Sequence, residues 1–180
     1  GSEMCIRDRA ISQHHQTNID LIVREKTQAQ NILKDLKHIN QIFYNNFRKG
    51  IFYWLDVFKL KKIFDTEKYD YVYILDKVNK PAIAAKLSGI QNIIAPGIKN
   101  QKKWITSKNY LNEDDWNLNY SEQSQKFLKI NSIKLNDKFP SLEIDTERLK
   151  QGNDDLIVKG KKIAFGVDSF EDFKMWFEED

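Results

Sequence analysis

The chain has 180 residues, enough for one domain or for one domain and part of another. Apolar residues make up 41 % and charged residues 31 %, with a net charge of only +3, so composition supports a packed core and makes no case for nucleic-acid binding. Cys5 is the single cysteine, which excludes a disulfide framework and a thiol metal site, and no apolar run approaches the ~18 residues of a membrane-spanning helix.

Residues 1–9, GSEMCIRDR, show neither helical nor strand periodicity. They resemble the SEMCIRDR string that turns up in translated environmental assemblies as read-through of sequencing adapter. On that reading the segment is non-native, Cys5, Arg7 and Arg9 carry no meaning, the natural amino terminus is missing, and the segment is set aside as a tag would be. The alternative is a real disordered terminus. Residues 10–16 are polar and read as the end of a helix.

Ile19–Val23, IDLIV, reads as a short strand. Over 26–36 a helix is expected, with Ala29, Ile32, Leu33 and Leu36 on one side. Ile39–Tyr44 is a further apolar run and a second strand. Gly50 breaks the chain, and Ile51, Trp54, Leu55, Phe58 and Ile63 then recur at steps of three to five. That spacing predicts an amphipathic helix over 51–67, with those residues as its apolar stripe.

Residues 69–97 organise the rest. Residues 71–75, YVYIL, form a continuous aromatic and β-branched run, expected as a strand buried on both faces. A helix comes next, with Asn79 placed to cap it and Pro81 in its first turn. Ile83, Leu87 and Ile90 share one face, while Ala82, Ala85 and Gly89 keep a neighbouring face small enough to lie close on a sheet. Gly89 supplies the helix stop. Residues 93–95 are a second short strand, ended by Pro96 and Gly97. Strand, helix and strand within about thirty residues is a βαβ unit with a right-handed crossover. The alternation along the chain is that of an α/β layer fold.

Residues 98–110 are polar and basic, with Lys99, Lys102, Lys103 and Lys108 around Trp104. A loop leaving the carboxyl end of a strand in an open α/β sheet lines the ligand crevice; the alternative is a solvated surface loop. Residues 113–130 read as mostly helical, anchored by Trp116, Tyr120, Phe127 and Leu128. A short edge strand is expected over 140–144, and a short helix or linker over 146–153 with Gly152 as its stop. Residues 161–166, KKIAFG, read as a strand, and Phe170, Phe173, Trp176 and Phe177 come after it at helical spacing. This divides the chain into 10–150 and the opening of a second domain over 151–180. His14, His15 and His38 have no carboxylate or cysteine at ligand spacing, so they read as surface or helix-end residues and no metal site is expected.

The stretch YDYVYILDKVNKPAIAAKLSGIQNIIAPG resembles the amino-terminal domain of glycosyltransferase family 9, the ADP-heptose:lipopolysaccharide heptosyltransferases. There a YDxVIDL strand leads into a helix ending in A-x-L-x-G and a short strand with a glycine. Tyr69, Asp70, Val72, Leu75 and Asp76 match the strand, and Ala85, Leu87, Gly89 and Gly97 match the helix and the short strand after it. Residues 123–144 look like the helix before that family's domain linker. Residues 161–180 resemble the opening of its carboxyl-terminal domain, with Lys174 and Trp176 in a K-x-W motif.

The resemblance implies a GT-B architecture: two Rossmann-like parallel sheets with flanking helices, facing across a cleft. The chain would hold the acceptor-side domain without its first strand, and the start of the donor-side domain. The implied reaction moves heptose, with inversion and without a metal or other cofactor, from ADP-heptose to the lipopolysaccharide inner core. The implied setting is the cytoplasm, with peripheral association at the cytoplasmic face of the inner membrane. The family's base is an aspartate in a glycine-rich loop after the first strand, upstream of Ala10, so the catalytic base is not assigned here. Asp76 is expected to cap a turn rather than act as that base.

On the donor side the resemblance points to Gly166 and Ser169 at a helix start, and to Lys174 as a point charge, or else as a surface lysine. Asp168, Glu171 and Asp172 put negative charge where a diphosphate would sit, and Phe177 replaces the usual proline. Those acidic residues also allow a relative that has lost activity. Lys102 and Lys103 are the candidates for contact with the phosphate- and carboxylate-rich acceptor. The competing reading is a non-enzymatic α/β module that binds an anionic partner through 99–108.

Overall fold

A computed structural model describes residues 2–24, 29, 33, 36–46, 48 and 50–136. The chain divides into two units, Gly1–Glu143 and Ile144–Asp180, and the second lies outside the described residues. The expected strands over 140–144 and 161–166 and the segment 146–153 likewise fall outside the described residues.

The described elements are α1 (Ser2–His15), β1 (Ile19–Val23), β2 (Ile39–Tyr44), α2 (Phe52–Glu67), β3 (Tyr71–Tyr73), α3 (Lys80–Leu87), β4 (Asn92–Ile94) and α4 (Tyr120–Ile130). Short 3-10 turns cover Lys99–Lys103 and Asp114–Asn117. The class is α/β: helices alternate with short strands, and both strand pairs are parallel. β1 pairs with β2, Ile19 opposite Ile39 and Val23 opposite Tyr44. β3 pairs with β4, Val72 opposite Ile93. Parallel neighbours need a crossover, and α3 supplies it between β3 and β4. Between β1 and β2, Ala29 and Leu33 are helical and buried, as their spacing predicts, and they pack with Val23 and Leu36.

Among the described residues no ladder joins the two sheets. Side chains bridge them instead. Tyr69, just before β3, donates its hydroxyl to Asp20 Oδ2 in β1 at 2.5 Å. Beyond the other ends, Arg24 Nη2 meets Asp76 Oδ2 at 3.1 Å. Start lies by start and end by end, so β1 and β3 run side by side in one direction.

Several expectations change. The strand expected over 71–75 is only Tyr71–Tyr73, and it is not buried on both faces: Tyr71 is exposed and Val72 and Tyr73 are half-buried. Among the described residues β3 has one strand partner, β4, and none on its other edge. The strand expected over 93–95 is shifted by one, to Asn92–Ile94.

α2 forms where the periodicity predicts, but with a different face inward. Val57, Leu60 and Phe64 are buried, whereas Ile51, Trp54, Leu55 and Phe58 are exposed. Asp56 lies on that inward side too, buried and paired with Arg48 and Lys80. The buried face then packs on the small surface of α3, where Ala82, Ala84 and Ala85 are fully buried with Ile83 and Ile93. Pro81 sits in the first turn of α3 as expected, but the side chain of Asn79 makes no cap bond, and Leu87 is exposed.

Residues 1–9 also depart from the expected lack of pattern. From Ser2 onward they belong to α1, and Arg7 and Asp8 are buried. Ala10 and Ile11 pack with Leu128 and Ile133, so α1 and α4 share a separate cluster. α4 is started by Asn119, whose side chain accepts from Glu122 N–H while Glu122 Oε2 accepts from Asn119 N–H.

Candidate functional site

In open α/β sheets the ligand crevice lies beyond the carboxyl ends of the strands. Here that edge is built from 74–79 after β3 and from 95–112 after β4. The two segments are tied together by a residue that no sequence pattern singled out. Gln101 is fully buried, and its amide is saturated. Its Oε1 accepts from Gly97 N–H at 2.9 Å and Ile98 N–H at 3.3 Å, and its Nε2 donates to Asp76 O at 3.1 Å and Val78 O at 2.9 Å. A glutamine in a lysine-rich stretch has no periodicity to announce it. Its importance arises only when two loops from different strands meet.

Gly97 adds a second constraint. Its φ is +77°, and a Cβ there would lie 2.5 Å from Tyr110 Cβ. The ring of Tyr110 is also covered by the Lys102 ammonium, 4.5 Å from its centroid. Lys99, Lys102, Lys103 and Lys108 are exposed, so the predicted basic loop is basic and accessible. Lys86 donates to Lys103 O at 3.1 Å and lies 5.9 Å from the Trp104 ring, packing α3 against this loop. Lys102 and Lys103 thus lie exposed in the segment that follows β4, Lys102 over Tyr110 and Lys103 beside the last turn of α3.

Asp76 lies in the bend that follows β3. Its Oδ1 accepts from Lys77 N–H at 2.6 Å, and its Oδ2 faces Arg24. Beside it a cavity of about 50 Å³ is lined by Arg7, Leu75, Lys77, Trp116, Tyr120 and Phe127, among others. That is room for a water or two, not for a nucleotide sugar. A shallow groove of about 430 Å³ lies at the opposite, amino-terminal edge of β3 and β4, between Tyr69, Asp70, Gln91 and Asn92. Its position argues against it as the main site, whatever its size.

A second polar cluster lies past the end of β2. Asp56 accepts from Arg48 N–H at 2.8 Å, from Arg48 Nη2 at 2.7 Å and from Lys80 Nζ at 2.8 Å. Asn45 Nδ2 donates to Asp56 O at 3.1 Å. Burial alone pushes the Asp56 carboxyl up, but the hydrogen bonds from Arg48 and Lys80 outweigh it and hold the pKa at about 2. This cluster is a latch between the β2–α2 turn and the start of α3.

The histidines are less isolated than their spacing implied. His15 Nε2 lies 2.9 Å from Tyr73 Oη, and its ring is 4.5 Å from that of Tyr71. Burial, then the neighbouring His14, lowers the His15 pKa, while burial pushes Tyr73 up to about 12. His38 Nε2 is 3.5 Å from Asp8 Oδ1, a carboxylate neighbour that linear spacing did not reveal. Among the described residues there is no group of three or more histidine, cysteine, aspartate or glutamate side chains placed to hold a metal. The donor-side candidates Gly166, Ser169 and Lys174, with Asp168, Glu171, Asp172, Trp176 and Phe177, lie outside the described residues.

Scanned against protein-family models, the sequence has no match, and searches of curated proteins and of solved structures likewise found none. Among the described residues no helix is long and apolar enough to cross a membrane.

Proposed function

We propose that this chain is the acceptor-side part of an inverting glycosyltransferase of the family 9 type, with a Rossmann-like sheet. The parent enzyme moves heptose from ADP-heptose to the lipopolysaccharide inner core at the cytoplasmic face of the inner membrane. The observation that carries the proposal is the pairing of the strands. β1 and β3 run parallel and adjacent, yet only side chains link them. A doubly wound sheet lacking its central strand would leave that seam. The exposed lysines at the carboxyl edge, Lys102 and Lys103 first, supply the charge for an anionic acceptor.

Inverting transfer needs a base at the acceptor hydroxyl and positive charge or N–H groups on the departing diphosphate. Asp76 is paired with the exposed Arg24, the catalytic base is not assigned in this chain, and the chain alone is proposed to be inactive. The test compares this chain with the product of the complete reading frame. Each is incubated with ADP-heptose and a heptose-free lipopolysaccharide acceptor, and ADP release is followed. Transfer by the longer protein alone is the expected result. A longer protein that binds neither ADP nor ADP-heptose would refute the reading and favour a binding module acting through 99–108.

A further inference from the structure

α2 carries more apolar surface than the fold uses. With Val57, Leu60 and Phe64 buried, Ile51 is still 84 % exposed, Trp54 53 %, Leu55 58 % and Phe58 57 %. The last three belong to adjacent turns, and the Trp54 and Phe58 rings lie 6.4 Å apart, so they form one contiguous patch. Single exposed apolar residues need no explanation, but a patch of this kind marks an interaction surface.

Its surroundings select the partner. Of the carboxylates of α2, Asp56 is buried and already engaged, Asp65 is paired with Lys61, and Glu67 is at the carboxyl end, away from Trp54 and Leu55. The cations are outside: Arg48, Lys59 and Lys62 are exposed. Arg48 lies over the Phe52 ring at 4.9 Å, at the amino-terminal edge of the patch. A helix face of Trp, Phe, Leu and Ile, rimmed by Lys and Arg without free acid, matches an anionic bilayer surface. It matches a second copy poorly, because a symmetric dimer would set these cations against each other.

We infer that α2 docks this protein onto anionic membranes, with Trp54, Leu55 and Phe58 entering the interface and Lys59 and Lys62 on the lipid phosphates. This deepens the membrane-side placement proposed above, yet it stands on α2 alone. The test is vesicle flotation, because aggregated protein stays at the bottom of the gradient. Vesicles of phosphatidylglycerol and phosphatidylcholine in equal parts are compared with pure phosphatidylcholine. They contain no lipopolysaccharide, so failure here leaves the heptosyl-transfer reading untouched.

The protein is expected to float with the anionic vesicles, about tenfold or more above the neutral ones, and to be released by salt. Trp54→Ser with Phe58→Ser, and separately Lys59→Glu with Lys62→Glu, should each abolish flotation. All four side chains are exposed, so the circular dichroism should not change. If the serine pair unfolds, the charge-reversed pair decides. Absence of wild-type flotation, or flotation retained by the charge-reversed pair, would overturn the inference. So would concentration-dependent self-association that the serine pair removes, in protein that ignores vesicles.

Discussion

Asp56 is the buried carboxylate of a sixteen-residue helix, and its chemistry gives a pH dependence. Its folded pKa of about 2 lies below the ordinary 3.8. The carboxylate therefore adds stability that is fully present above the unfolded value and lost as pH falls from about 4 towards 2. Asp65 and Asp115, also lowered by hydrogen bonds from Lys61 and Lys126, act in the same sense. A variant separates them from Asp56. Asp56→Asn leaves Lys80 buried without its counter-charge, which costs about 3–5 kcal/mol at neutral pH. Urea unfolding at a series of pH values should show wild type and variant drawing together as pH falls from about 4 to about 2. Parallel curves across that window would mean the pair does not hold the latch.

At the scale of elements, the loops past β3 and β4 depend on Gln101 and Gly97 rather than on the lysines around them. Gln101→Leu strands two N–H and two C=O groups, at about 1 kcal/mol or more each, so a loss of about 3–5 kcal/mol is expected. Gly97→Ala combines a strained φ with a 2.5 Å contact and should cost about 1–3 kcal/mol. Lys102→Ala and Lys103→Ala, both exposed, should stay within about 0.5 kcal/mol. Thermal melts of the four variants check this ranking, and a Gln101→Leu protein that melts with the lysine variants would refute it.

The same loops show what a sequence can and cannot reveal. Ile19–Val23, Ile39–Tyr44 and the run through Lys80–Leu87 were legible because a strand or helix writes its period into consecutive residues. So was the accessibility of Lys102 and Lys103, since a lysine-rich loop has no other stable place. The inward face of α2 was not legible. Five apolar residues pointed one way, but the face that meets α3 is Val57, Leu60 and Phe64, with Asp56 paired to Arg48 and Lys80 from outside the helix. Nor was Gln101, whose four partners come from two separate loops. Arg7 and Asp8 are a different case. They are buried by helix α1, yet Arg7 Nε and Asp8 Oδ2, with His38 Nε2 and Asn45 Oδ1, have no hydrogen-bond partner. Arg7 nonetheless donates from Nη2 to Tyr120 Oη, and Asp8 Oδ1 lies 3.5 Å from His38, contacts that no linear spacing announces.

For the whole molecule, the seam between β1 and β3 is the decisive feature. A parallel strand presents alternate backbone groups to each side, and parallel sheets are normally covered on both faces and paired on both edges inside a domain. Here one side of β1 and one side of β3 face a seam spanned by Tyr69–Asp20 and Arg24–Asp76. Unpaired edge groups lower stability and invite aggregation. On the proposed reading, a further strand entering this seam would convert two two-stranded sheets into one, and a longer chain that supplies it should melt higher and aggregate less. Hydrogen exchange reads the event directly. In this chain, amides of β1 and β3 on the β2 and β4 sides should be protected, while alternate ones exchange rapidly. In the longer chain both sets should slow together. Equal melting, with the seam amides still exchanging fast, would mean that β1 and β3 are true edges, and the doubly wound architecture would have to be abandoned.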